Sequence, residues 1–147
     1  MLKNVFLGTV LFFVAILSGC ASVPMAPKAQ DDALKTFSKP VSDNAGLYVF
    51  RNTFGGQALK KTLSLDGSVI GETANKTYFY REIAPGMHTL STESEFSDNE
   101  ITFHAESKEN YFAEQYIKLG VFVGGANVKM VSEEEGKKGV LECQLAK

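Results

Sequence analysis

Residues 61–92 read KTLSLDGSVIGETANKTYFYREIAPGMHTLST, and the reading of this stretch decides the fold. KTLSL (61–65), SVIGE (68–72), TYFYREI (77–83) and MHTLSTES (87–94) are short, rich in β-branched and aromatic residues, and parted by turn chemistry. Asp66-Gly67 has the composition of a two-residue type I′ hairpin, whose central residues need a positive φ that Gly, Asn and Asp reach at little cost. Pro85-Gly86 fits a type II turn, with proline fixing φ at the first central position and glycine taking the left-handed second. The stretch thus predicts four strands joined by tight reversals.

The same pattern runs outward on both sides. LYVFRN (47–52), EITFHAES (100–107), YFAEQYIKL (111–119) and NVKMVS (127–132) add four strands, with reversals at Asp98-Asn99 and Lys108 to Asn110. Turns at short, regular intervals favour antiparallel connections, so residues 46–147 are expected to form an all-β domain, an antiparallel β-sandwich of seven or eight strands. A short helix is expected after it. Ser132 and Glu135 have capping-box spacing, and three acids in the first turn complement the helix dipole. Val140, Leu141 and Leu145 would form its apolar side, while Gly136 and Gly139 leave a final strand through VLECQL as the alternative.

Residues 20–45 hold three of the four prolines among small and charged residues, which is linker composition. Leu34 and Phe37 stand at helical spacing, so one turn of docked helix and a flexible tether are both open readings. A free tether of this length would have an r.m.s. span of roughly 28 Å.

The opening segment is read as a signal peptide over residues 1–19. Lys3 supplies the positive n-region, and the run VFLGTVLFFVAIL (5–17) is too short for the roughly 20 apolar residues of a membrane-spanning helix. Leu17, Ser18, Gly19 and Cys20 resemble the bacterial lipobox, in which the cysteine is acylated and the signal is cut just before it. The resemblance implies lipidation at Cys20 and a permanent hold on a bilayer, since two acyl chains suffice for stable anchoring. Ala21 stands where the inner-membrane retention signal would have aspartate, which implies outer-membrane sorting and a periplasmic location in the cell envelope. Without Lys3, 14 Lys plus Arg face 17 Asp plus Glu, a balance that disfavours nucleic acid as a partner. Acylation of Cys20 would leave Cys143 without an intramolecular partner, as a small core residue.

The sequence offers little recognisable chemistry. Gly67-Ser68-Val69-Ile70-Gly71 lacks the G-x-S-x-G spacing that exposes a nucleophilic serine. His88 and His104 have no H-x-x-x-H or H-E-x-x-H company; strand parity points His88 inward and His104 to solvent. The acids at 93–100 and 133–135 lack the register of a calcium loop. No catalytic residue, cofactor or metal site is therefore assigned. Two features suit binding. Tyr48, Tyr78, Tyr80, Tyr111 and Tyr116 could line a sheet face, with sandwich core as their plainer reading. LGVFVGGA (119–126) could be an exposed contact loop, with a buried crossover as the plainer reading.

The lipobox, DDALKTFSKP (31–40), GLYVFRN, SLDGSVIGET, YFYREIAPGMHTL and KMVSEEEG together resemble the bacterial lipoproteins of a family named for a domain of unknown function, DUF 2846. LDG, IG and APGMH are also similar to the PEGA-type repeat of bacterial cell surfaces. The resemblance implies a transthyretin-like or carboxypeptidase-regulatory-like sandwich in the cell envelope, with no assigned catalytic residue. The function expected on these grounds is a non-enzymatic, membrane-anchored module that contacts another envelope protein, with a small-ligand or cell-wall glycan binder as the alternative.

Overall fold

The computed structural model describes residues 20–147. The proposed signal segment and the lipobox residues Leu17, Ser18 and Gly19 lie outside the described residues. In chain order the elements are α1 (Lys28–Leu34), β1 (Ala45–Arg51), β2 (Lys61–Leu65), β3 (Ser68–Thr73), β4 (Thr77–Ile83), β5 (Gly86–Thr92), β6 (Asn99–Ala105), β7 (Asn110–Lys118), β8 (Gly125–Val131), α2 (Glu133–Leu141) and β9 (Gln144–Leu145). The strands form two sheets, β8-β7-β1-β4-β9 and β3-β2-β5-β6. The all-β sandwich with a short C-terminal helix is thus the observed fold.

The Asp66-Gly67 turn is a local device and behaves as the sequence predicts, whereas the expected type II turn at Pro85-Gly86 is a link from β4 in one sheet to β5 in the other, with Gly86 already the first residue of β5. Asp66 and Gly67 take φ values of 51° and 78°, and Gly86 also has a positive φ. The long-range pairing is less uniform than expected. Most neighbours are antiparallel, but β1 lies parallel to β7 and β4 parallel to β9. A parallel neighbour requires a crossover, and here the second sheet supplies it between β1 and β7.

Every residue of β1 is buried, which explains its unbroken apolar run, because both faces of this central strand are covered. Leu47 and Val49 face the second sheet, in a core with Leu63, Phe79, Leu90 and Val128. Tyr48 and Phe50 face the other way, into a cluster with Tyr78, Phe112, Val140 and Cys143. Tyr48 stacks on Phe112 with ring centroids 5.1 Å apart.

That second cluster is closed by α2. Ser132 Oγ accepts from Glu135 N–H while the Glu135 carboxylate accepts from Ser132 N–H, which is the expected capping box. The two glycines that weaken helix propensity are what let the helix approach. A Cβ at Gly136 would lie 2.2 Å from Phe112 Cβ, and one at Gly139 2.2 Å from Phe50 Cε2. Leu141 departs from its expected place: it is 57% exposed and only Val140 of the pair is buried. Leu145 is buried in β9, so VLECQL contains both the helix end and a last short strand.

Much of the segment assigned to the linker is packed against the domain. Val23 and Pro40 are buried, Met25 bridges Ala146, and Ala26 N–H donates to Leu145 O while Lys147 N–H donates to Pro24 O. Then α1 crosses the aromatic cluster. Asp31 is 9% exposed; its Oδ1 accepts from Tyr78 OH at 2.8 Å and from Leu145 N–H at 3.2 Å, and its Oδ2 pairs with Lys35 at 2.8 Å. Phe37 reaches Tyr48, centroid to centroid 5.5 Å. Of the two readings the sequence left open, the docked helix is the one observed.

Candidate functional site

The alternation of strand directions gathers two sets of loops at opposite ends of the sandwich. At one end lie the connections 52–60, 74–76, 93–98 and 119–124, and here the described chain begins at Cys20. Cys20 is exposed, and Ala21 N–H donates to Gln57 O at 2.8 Å. The proposed lipidation residue therefore stands one residue from a backbone bond to the folded domain.

Arg51 organises this end. It closes β1 with no exposed surface, and its guanidinium donates to the carbonyls of Gly56 (2.5 Å), Leu59 (2.8 Å) and Thr73 (3.4 Å). Burial pulls its pKa below the ordinary value, yet an arginine keeps its charge, so these backbone carbonyls hold a buried cation. Next to it, Gln115 binds Thr73 and donates to Thr92 Oγ1 at 2.7 Å, joining the two sheets through a buried polar bridge. The 52–60 loop is thus held from inside.

The 119–124 loop is held from outside. The Glu95 carboxylate accepts from the N–H groups of Val121 (2.5 Å), Phe122 and Val123 (3.3 Å). Its desolvation acts to raise the pKa, but those three bonds outweigh it and hold the carboxyl below its usual range. The loop departs from the plainer sequence reading, a buried crossover: Leu119 is 100% exposed and Phe122 84% exposed.

An open cleft of 380 Å³ lies beside the chain start, lined by Ala21, Met25, Asn75, Lys76 and Glu142 among others. Glu142 accepts from Asn52 Nδ2 at 2.6 Å and pairs with Lys76 at 3.4 Å, and these contacts hold its pKa down. The tyrosines do not line a site of this kind. Tyr48 and Tyr78 are buried under α1 and α2 with their hydroxyls bonded to Leu34 O and Asp31, and burial pushes both pKa values up. Tyr80, Tyr111 and Tyr116 are half-buried.

His88 points inward as expected, with its side chain 11% exposed; Nδ1 lies 2.6 Å from Asp66 Oδ2 and Nε2 2.7 Å from Ala84 O. Both partners are acceptors, so the ring satisfies both only as the doubly protonated cation. It pins two turns of the far end, at Asp66 and at Ala84. His104 faces solvent. Cys143 is a buried thiol whose pKa burial pushes up to about 12, which leaves it a poor nucleophile. Among the described residues no group of three His, Cys, Asp or Glu is placed to hold a metal ion, and no helix is long and apolar enough to cross a membrane. Sequence reasoning missed Arg51, Asp31 and Glu95. A basic residue ending an apolar run beside Gly55-Gly56 was the available signal for the first.

The profile of a family described as "Protein of unknown function (DUF2846)" matches residues 41–126. A protein of Haemophilus influenzae (strain ATCC 51907 / DSM 11121 / KW20 / Rd), described as uncharacterized, is 48% identical over 145 residues, which cover 98% of this chain and 86% of that relative. No solved structure matches the chain. The matched region holds β1 to β7 and the loops of the Cys20 end, up to the start of β8. This chain belongs to the DUF2846 family of proteins of unknown function.

Proposed function

We propose that this protein is a lipid-anchored module of the bacterial cell envelope, acylated on Cys20 and sorted to the periplasmic face of the outer membrane. It acts by contact with another envelope protein and performs no catalysis. The observation that carries the anchoring is the setting of Cys20: an exposed cysteine follows the lipobox-like Leu17-Ser18-Gly19 and meets the ordered fold at Ala21. Diacyl or triacyl modification there supplies a hold that no charge patch of this mildly acidic chain would give. The non-catalytic reading draws its support from the state of the reactive groups: Cys143 is buried, His88 is committed to two turns, and the buried tyrosine hydroxyls are bonded. The PEGA-like or transthyretin-like character of the sandwich is part of this same reading.

The anchoring is tested by labelling cells with palmitate. The wild-type chain takes up label and Cys20→Ala does not; label on the Cys20→Ala variant would refute acylation at this residue. Crosslinking in living cells tests the contact function, with capture of one reproducible envelope protein as the expected result. Saturable binding of muropeptides with no captured partner would instead favour a ligand held in the open cleft by Lys76 and Glu142.

A further inference from the structure

We propose that the loops surrounding Cys20 are a docking surface for the lipid bilayer, so that the sandwich rests with this end pressed into the membrane its acyl chains occupy; the proposal rests on acylation of Cys20. Phe54, Leu119 and Phe122 are 105%, 100% and 84% exposed, and Phe96, Val121 and Val123 are 75%, 74% and 56% exposed. They stand on three loops that are tied together. Glu95 binds the amides of 121–123, Leu59 packs beside Gly124, and Gln57 holds Ala21. Among the described residues, the other strongly exposed large apolar residues, Val41, Val69, Met87 and Leu141, are scattered singly and are ordinary surface. A concentration of six at one end marks a surface that something covers.

What covers it follows from the position of Cys20, exposed beside the Gln57 loop. Acyl chains on the sulfur and amino group of Cys20 would leave the fold beside the Gln57 loop, among these side chains. Their insertion brings the three loops to the headgroup layer, where Phe, Leu and Val side chains can enter the acyl boundary. The same loops, with Lys118 at the end of β7, carry two lysines, Lys60 and Lys118, against Glu93, Glu95 and Asp98, so the contact is apolar and not electrostatic. Lipid offers the backbone no hydrogen-bond partners, and the three amides of the 119–124 loop already have theirs in Glu95.

The chain contains no tryptophan, so a single introduced one reports its surroundings. Full-length protein acylated in the producing cells is reconstituted in phosphatidylethanolamine–phosphatidylglycerol vesicles with Phe122→Trp, Phe54→Trp or, beside the Asp66-Gly67 turn, Val69→Trp. Brominated acyl chains should quench the first two several-fold more than the third, with blue-shifted emission that added salt does not reverse. Vesicle-bound protein in which all three emit as in water would overturn the docking and leave the anchor standing. Protein that carries no acyl group and does not float with vesicles would overturn both. Loss of the blue shift at high salt would overturn the apolar contact in favour of a charged one.

Discussion

The two ends of the sandwich, with three strand reversals at the far end and four at the Cys20 end, are built from opposite materials. At the far end, Asp66 Oδ1 accepts from Thr89 N–H at 2.9 Å, Oδ2 meets His88, and His88 reaches Ala84. The turns are short, polar and fastened by side chains within a few residues of the reversal. At the Cys20 end three of the four connections, 52–60, 93–98 and 119–124, are longer and carry exposed apolar side chains, and the first and last of them are fastened from a distance by Arg51 and Glu95. A short turn closes a sheet with local chemistry; a long apolar loop needs a buried cation or a carboxylate clamp to keep one shape. The difference separates an end that only completes the fold from an end that presents a surface.

The comparison breaks most sharply at Arg51. Arg51→Met keeps the bulk but removes the donor from three carbonyls, and an unsatisfied buried acceptor costs about 1–3 kcal/mol, so a loss of about 3 kcal/mol is expected in urea denaturation. Hydrogen exchange should quicken first in 52–60 and leave the amides of Asp66 and Thr89 at the far end protected. A loss under about 1 kcal/mol would mean that the loop does not depend on this residue.

At the far end, Asp66→Ala removes the acceptor of Thr89 N–H and the partner of His88, with an expected loss of about 1 kcal/mol and no change in the loops at the Cys20 end. A smaller effect is expected from pH. Burial acts to lower the His88 pKa, but its bonds to Ala84 O and Asp66 raise it above 6.5 overall. Its contribution to stability is therefore complete below pH 6.5 and is lost as pH rises through the raised value. Asp66 has the reverse sign. Desolvation acts to raise its pKa, the bonds from Thr89 and His88 lower it, and its contribution disappears only as pH falls through a value below 3.8. Urea midpoints at about pH 5.5 and about pH 8.5 should differ more for the wild type than for His88→Gln; equal differences would show that the ring does not fasten these turns.

The smallest global change belongs to Glu95→Ala. It releases the amides of Val121, Phe122 and Val123, so exchange at those three should speed up while the melting temperature holds. Unchanged exchange would show that the carboxylate does not shape the loop.

How much of this could be read in advance follows the range of each interaction. Asp66-Gly67 and Ser132 with Glu135 were legible because φ preference and capping are decided within four residues. The parallel pairing of β1 with β7 was not, since nothing in LYVFRN names a partner more than fifty residues away. Composition misled twice. The proline-rich stretch before β1 docks because Asp31 finds Tyr78 and Leu145, a contact that no linker statistic contains. Leu119 to Val123 read as core because they are apolar, whereas their exposure depends on loop geometry. Cys20 was legible as a candidate from local sequence, but its distance from the domain was not, and that distance decides whether the sandwich roams or rests.

On the proposed acylation of Cys20, the anchor would meet the fold at its apolar end with no free tether between them, because Ala21 N–H is already bonded to Gln57 O. Spin labels at Gln57→Cys and Ser68→Cys, in acylated protein on vesicles, test it through their depth relative to the lipid phosphates, with Cys143 buried and unreactive. A seven-residue strand spans roughly 23 Å, so the account expects a label at 57 within about 10 Å of the phosphates and one at 68 farther out by about a strand length, both narrowly distributed. Broad and overlapping distributions at the two positions, as a domain swinging on a chain would give, would contradict it.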